Sequence, residues 1–504
     1  MASTSTLAST ALVSYDELKK HNHAADCWIL VHSKVWNVSS FLDEHPGGSA
    51  IILRYAGGDA TSAYDEVHAP SILEQTLEKG QLIGVIDVTT MPAKPAFGAA
   101  ELSVAEDSGL SNPISKPRQR SKPPLHSMIA VHDFEDVARD VYSEKTYAFY
   151  SSAATDLISH RDNQESFRKV MLRPRVLRNV RNVSIRRSIL GCESSVPFFV
   201  SPTAMARLAH SDGELAIARG CGSQGIILTV SSNASYPLSD IVEAGLPKQP
   251  FFLQLYVNSD RQKTTQLLRK ARDLGVQAVF VTVDAPIPGK READERLAAG
   301  NLSSPVSGAV AVNDKKGGGL GRVMAQYIDS TLCWKDLPWI REASGGLPIV
   351  LKGIQTAADA RAAADHGVEG ILLSNHGGRS LDTTQPALLT LLEIHRQCPE
   401  ILDQLEIYVD GGIRRGTDIL KALALGATAV GIGRPYLYSL AYGQEGVEHL
   451  TEILSDELES AMKLVGITDV DQAHPGLVNT ARLEPLIRTG ETHPWIRWRS
   501  RSKL

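Results

Sequence analysis

The stretch Gly370-Ile371-Leu372-Leu373-Ser374-Asn375-His376-Gly377-Gly378-Arg379-Ser380 decides how the rest of the chain is read. Its apolar run, Ile371 to Leu373, predicts a buried strand. The strand delivers Ser374, Asn375 and His376 into a loop that Gly377 and Gly378 make pliable, with Arg379 close behind. A base and a guanidinium thus emerge together at the carboxyl end of one strand, where an α/β barrel keeps its chemistry. An ordinary core strand ending in a glycine turn fits this stretch equally well. The surrounding pattern decides between the two.

Working outward, apolar runs recur at residues 196–200, 225–230, 250–257, 277–283, 348–351, 370–373, 405–409 and 429–432. Each is followed by a helical segment or a long loop. That alternation predicts an α/β fold, a closed parallel (β/α)8 TIM barrel over residues 129–490 entered through two leading helices. Segments 356–366 and 417–425 start after a polar cap and end near Gly367 and Gly426, as helices do. One irregular insertion, from Pro286 to about Gly321, is rich in glycine and lysine and predicts a mobile lid.

Polar residues gather where these strands end. Pro202, Thr203 and Ala204 follow the first, Ser231 closes the second, and Gln254 and Tyr256 the third. Thr282 and Asp284 end the fourth, Lys352 the fifth, and Ser374 and His376 the sixth. The seventh gives Asp410, Gly411, Gly412 and Arg414, and the eighth Gly433 and Arg434. Lysine, aspartate, histidine and arginine on one rim make a site for negative charge. Backbone close to Gly411 and Gly412, with Arg414 and Arg434, suits a phosphate after the last two strands. Ser231, Gln254 and Thr282 offer partners to the polar edge of a flavin, and Lys352 suits negative charge on its reduced ring. No Gly-x-Gly-x-x-Gly opens a first βα turn, so FMN fits better than NAD. His376 is the expected base, with Asp284, read as one strand end away, orienting it. Arg379 offers a bidentate grip on a substrate carboxylate, and Tyr256 and Arg291 face the same region.

Upstream, residues 14–88 form a separate unit. Two short strands, 28–31 and 35–38, flank His32-Ser33-Lys34, and His45-Pro46-Gly47-Gly48 makes a rigid turn. His45 and His68, across a mostly helical stretch 49–64, form a pair that can hold a haem iron from both sides. Residues 89–128 are rich in Pro, Ser, Ala and Lys and read as a linker. Residues 1–13 read as a disordered tail.

Composition excludes other classes. Hydrophobic content is 43% and charged content 22%, and 52 basic against 57 acidic residues leave a net charge of −5. No field of one sign argues for nucleic acid, and no apolar run reaches the ~18 residues of a membrane helix. The five cysteines are scattered and odd in number, which suits a reducing compartment. The chain ends Ser502-Lys503-Leu504 within a tail at 491–504, a tripeptide that a peroxisomal import receptor reads at a free carboxyl terminus.

Asp26-Cys27-Trp28, the His45-Pro46-Gly47-Gly48 turn, residues 56–61 and His68 together resemble the cytochrome b5 family. The strand ends 202–204, 254–257, 282–284, 374–379, 410–416 and 433–435 resemble the FMN-dependent 2-hydroxy-acid oxidising family that includes glycolate oxidase. The fusion of the two resembles the flavocytochrome b2 type. The resemblance implies haem b and FMN, a small L-2-hydroxy acid with lactate as the default, and His376 taking a proton. It also implies electron transfer to haem and then to a cytochrome-like carrier, or else to O2, and a homotetramer; a catalytically weak haem electron carrier is the remaining alternative. That type works in the mitochondrial intermembrane space, which conflicts with a peroxisomal address; the cytosol is a further alternative. Three positions depart from the family pattern: Phe149 where a tyrosine is usual, Asn233 where a large apolar residue is common, and Ala153 in place of glycine.

Overall fold

The computed structural model describes residues 11–42, 44–45, 49–61, 64, 72–91, 122–297, 302–303, 310–311, 319–323 and 325–488. The chain divides into two compact units, Met1–Ser121 and Lys122–Leu504.

In the smaller unit, Asp26–Val31 and Lys34–Asn37 pair antiparallel. His32 and Ser33 join them with φ of 49° and 68°, the positive values a two-residue hairpin turn demands. Leu82–Ile86 extends the sheet, and Leu12–Val13 pairs with it in parallel, Leu12 opposite Val85. That pairing corrects the reading of residues 1–13 as a tail, since Val13 is buried among Leu18, Leu30, Val35 and Ile86. Two apolar residues in a Ser/Thr-rich stretch are too few to show as a strand in sequence. His45 lies beside Phe41, ring centroids 5.8 Å apart, at the edge of a core containing Ile29, Val31, Trp36 and Leu42. Pro46, Gly47, Gly48 and His68 lie outside the described residues, as do the tail at 491–504 and residues 92–121 of the expected linker.

The larger unit is a closed barrel of eight parallel strands. They are β1 Phe198–Val200, β2 Leu228–Ser231, β3 Phe251–Leu255, β4 Ala278–Thr282, β5 Ile349–Ile354, β6 Gly370–Leu373, β7 Glu406–Asp410 and β8 Ala429–Ile432. β8 returns to β1 with Ile432 opposite Val200. Phe199, Phe252, Phe280 and Tyr408 fill the interior with Ile227, Val350 and Leu372. Every strand residue except Glu406 is buried, as expected when helices cover the outside and side chains fill the inside. Ile189, from the hairpin Arg187–Ile189 and Cys192–Ser194, packs into the same cluster, so the hairpin plugs one end. The other end is left for chemistry.

The helices obey the expected punctuation. Ala357–Asp365 is capped by the Thr356 hydroxyl accepting from the Asp359 amide, and Gly367 follows with φ of 66°. Three leading helices precede the barrel rather than two: Val131–Val141, Glu144–Ser151 and Ile158–Lys169. The break between the last two, residues 152–157, carries no proline or glycine, so the sequence runs them together. The barrel unit also begins earlier than expected, at Lys122, whose Nζ reaches the Ala441 carbonyl at 2.7 Å. Within the expected lid, Leu302–Ser303 and Val310–Ala311 pair antiparallel. No helix among the described residues is long and apolar enough to cross a membrane.

Candidate active site

Asp284 follows β4, Lys352 lies in β5 and His376 follows β6, so the three converge from successive strands. Asp284 is thus two strand ends from His376, with Lys352 between. Asp284 Oδ1 and His376 Nδ1 are 3.0 Å apart, and Nε2 lies 3.2 Å from the Tyr256 hydroxyl. The backbone supports this placement. His376 has φ of 59°, and its N–H donates to Ser374 Oγ at 3.0 Å. Asn375 and Asn163 exchange reciprocal amide bonds of 2.8 and 2.9 Å, fixing the loop just before the histidine. Gly353, at φ of 110°, sits where β5 slips register, and a Cβ there would come 2.5 Å from that of Asp284.

Burial sets the charge states. It lowers the His376 pKa from its ordinary 6.5, and the charge of Lys352 adds to this while Asp284 opposes it. Burial alone would raise the Asp284 carboxyl, but the charge of Lys352 and the hydrogen bond from His376 hold it below its usual value. The pair is therefore a neutral imidazole on an ionised carboxylate, with a basic Nε2.

His376 and Lys352 border a cleft of about 1360 Å³ including its open mouth, and Asp284 stands behind the histidine. Pro202, Thr203, Ala204, Ser231, Gln254, Lys352, Asp410, Gly411, Gly412, Arg414, Gly433 and Arg434 line it, as do Tyr256, Arg291, His376 and Arg379. Two residues expected at the cofactor stand behind this wall. Thr282 accepts from Gln254 Nε2 at 2.9 Å, and Ser374 lies 3.3 Å from Lys352 Nζ.

The arginines are anchored more firmly than the sequence suggests. Arg379 donates to the carbonyls of Phe149, Tyr150 and Ser152 at 2.7–3.0 Å, and Arg434 to those of Tyr150, Ser152 and Gly377, each at 3.0 Å. Both neutralise the carbonyl end of Glu144–Ser151. Arg414 pairs with Glu135 at 2.6 Å, and Arg291 Nε bonds the Arg379 carbonyl at 3.3 Å. Burial followed by the charges of Arg291 and Arg434 pushes the Arg379 pKa well down, a measure of how much positive charge this wall concentrates.

His160 and Gln164 also line the cleft, and sequence reading missed them. They lie with Asn163 on one face of the helix Ile158–Lys169, a spacing that was readable once that helix was recognised. Burial, then the charges of Arg434 and Arg414, push the His160 pKa down to about 3. Gly378 lies so close that a Cβ would meet the His160 backbone nitrogen at 2.7 Å.

The cleft's chemistry fits a flavin mononucleotide. Ser201 Oγ and Asp410 Oδ1 are buried without hydrogen-bond partners among the described residues, and Gly411, Gly412 and Gly433 line the cavity. Residues 138–480 match the FMN-dependent dehydrogenase family, and residues 14–87 match the cytochrome b5-like haem/steroid binding domain. The chain belongs to the FMN-dependent dehydrogenase family. An L-lactate dehydrogenase (cytochrome) of Wickerhamomyces anomalus is 38% identical over 468 residues, covering 92% of this chain and 79% of that one. Human 2-hydroxyacid oxidase 1 is 41% identical over 360 residues, covering 69% of this chain and 95% of the oxidase. A flavocytochrome b2 structure with pyruvate bound superposes with a TM-score of 0.66 at 38% identity, covering 75% of this chain and 93% of that one. In this family setting the chain carries FMN and haem b and is an FMN-dependent 2-hydroxy-acid dehydrogenase fused to a cytochrome b5-like domain.

Proposed function

We propose that the chain oxidises a small L-2-hydroxy acid, lactate being the first choice, to its 2-keto acid, with FMN and then haem b accepting the electrons. The observation that carries this is His376, whose Nδ1 is held by Asp284 while Nε2 meets Tyr256 at the cleft wall. Neutral Nε2 accepts the proton released as C2 is oxidised, and ionised Asp284 stabilises the imidazolium that results. Arg379 and Arg291 face the substrate carboxylate, with the Tyr256 hydroxyl beside the reacting atoms. FMN bound in the cleft supplies the two-electron acceptor. Ser231 and Gln254 would hold its polar edge, Lys352 would face its ring, and Arg414, Arg434 and the backbone at Gly411, Gly412 and Gly433 would hold its phosphate. His45 and His68 would hold the haem, which would supply one-electron transfer.

The oxidase reading, with O2 as acceptor, draws on relatives that cover only the barrel. The cytochrome b5-like match over residues 14–87 favours the haem-coupled reading. Anaerobic mixing of the holoenzyme with L-lactate and related acids separates them. Flavin bleaching followed by haem reduction is expected. Flavin that bleaches while the haem stays oxidised, and that regains its colour when air is admitted, supports the oxidase, and no bleaching by any acid removes the substrate class.

Two further proposals concern the whole protein. Where Leu504 is the free carboxyl terminus, Ser502-Lys503-Leu504 directs import into peroxisomes, and deleting it in a fluorescent fusion should abolish punctate localisation. A homotetramer is proposed from the family likeness, and light scattering should give four times the chain mass.

A further inference from the structure

One side chain in the cleft has a role that the proton-transfer machinery does not explain. Asn233 lines the cleft and is only 5% exposed, and its neighbour Ser232 accepts at 3.2 Å from the backbone N–H of Tyr256, the residue whose hydroxyl meets His376. Its backbone is pinned on both sides, the N–H donating to Ser231 Oγ at 3.1 Å and the carbonyl accepting from the Met205 amide at 3.2 Å. Its side chain is fixed as well, because Oδ1 accepts from the Tyr327 hydroxyl at 2.9 Å. With Oδ1 engaged there, the two N–H groups of Nδ2 have no partner among the described residues. An amide donor facing the cleft that loses its water to a methyl group is left unsatisfied, and a site built around one discriminates against ligands that cannot meet it.

We propose that this cleft selects 2-hydroxy acids bearing a neutral oxygen acceptor, a hydroxyl or an amide oxygen, on the chain beyond C2. Asn233 Nδ2 is the donor and Tyr327 the positioning residue that aims it. This rests on the 2-hydroxy-acid reading above and narrows its substrate class.

L-glycerate and L-2-hydroxybutyrate differ only in a terminal hydroxyl against a methyl, so they form a matched pair of probes. Flavin reduction in the FMN- and haem-loaded protein should favour L-glycerate in kcat/KM by about tenfold or more. Asn233→Leu should reverse that preference. Tyr327→Phe, which keeps the ring, should shrink it while the flavin is still reduced by L-lactate. Equal rates with the two acids, or a preference that survives both substitutions, overturn the inference and leave the 2-hydroxy-acid reading standing. If neither these acids nor L-lactate reduces the flavin, the broader reading falls and this one with it.

Discussion

At the scale of single residues, the proposed reaction divides one task between His376 as base and Asp284 as its support. Replacing His376 with Gln keeps the size and one hydrogen bond but removes the base, so flavin reduction should slow by roughly 10²–10⁴ in stopped-flow. The pH profile should report the burial of the imidazole. Because its pKa is lowered from 6.5, Nε2 stays deprotonated through mildly acidic pH, and the fall in kcat/KM should lie below pH 6.5. Removing the Asp284 charge takes away the influence that raises this pKa. Asp284→Asn should therefore move the acid limb lower still while reducing the plateau rate. The His376 loop was legible because its chemistry is contiguous in sequence. The anchoring of Arg379 and Arg434 on the carbonyls of Phe149, Tyr150 and Ser152 was not, because those contacts join segments more than 200 residues apart.

At the scale of elements, two close approaches are informative. Gly353 combines positive φ, a slip in β5 and contact with Asp284. Gly353→Ala should lower stability by about 1–3 kcal/mol, read by chemical denaturation, and slow flavin reduction as Asp284 shifts. The helix Ile158–Lys169 brings His160 beneath the cleft, where it stays neutral down to pH about 3. The unfolded chain protonates this histidine near 6.5, so it binds more protons than the native state in between. Its share of stability is thus full above pH 6.5 and declines toward pH 3, by up to roughly 4 kcal/mol. His160→Gln should flatten that decline in denaturation midpoints measured across pH. Strand positions were readable from apolar runs, with β6 and β8 matching to the residue. Leu12–Val13 was not, because two-residue strands have no period to detect.

At the scale of the molecule, the separation into Met1–Ser121 and Lys122–Leu504 implies that the barrel folds without its partner. A fragment from Lys122 onward should bind FMN and be reduced by 2-hydroxy acid at close to the full-length rate. It should lose the haem absorbance and reduce an external cytochrome far more slowly than the full chain. That a cytochrome b5-like unit precedes the barrel was legible because each carries its own motifs over a contiguous span. Oligomeric state was not, since no local pattern encodes it.

Asp294 gives the barrel rim a different kind of consequence. Its Oδ1 pairs with Lys145 at 2.7 Å on the helix Glu144–Ser151, and its Oδ2 accepts from the Gly321 amide at 3.1 Å. Lys145 also reaches the carbonyls of Asp294 and Leu297. A single buried carboxylate therefore ties together the points where the long insertion leaves the barrel and returns. With the ends held, doubling the length between them costs only about 0.6 kcal/mol in closure entropy. The insertion is thus a place where the chain can be lengthened, shortened or exchanged while the barrel beneath keeps its geometry, a natural port for grafting new sequence beside the substrate mouth.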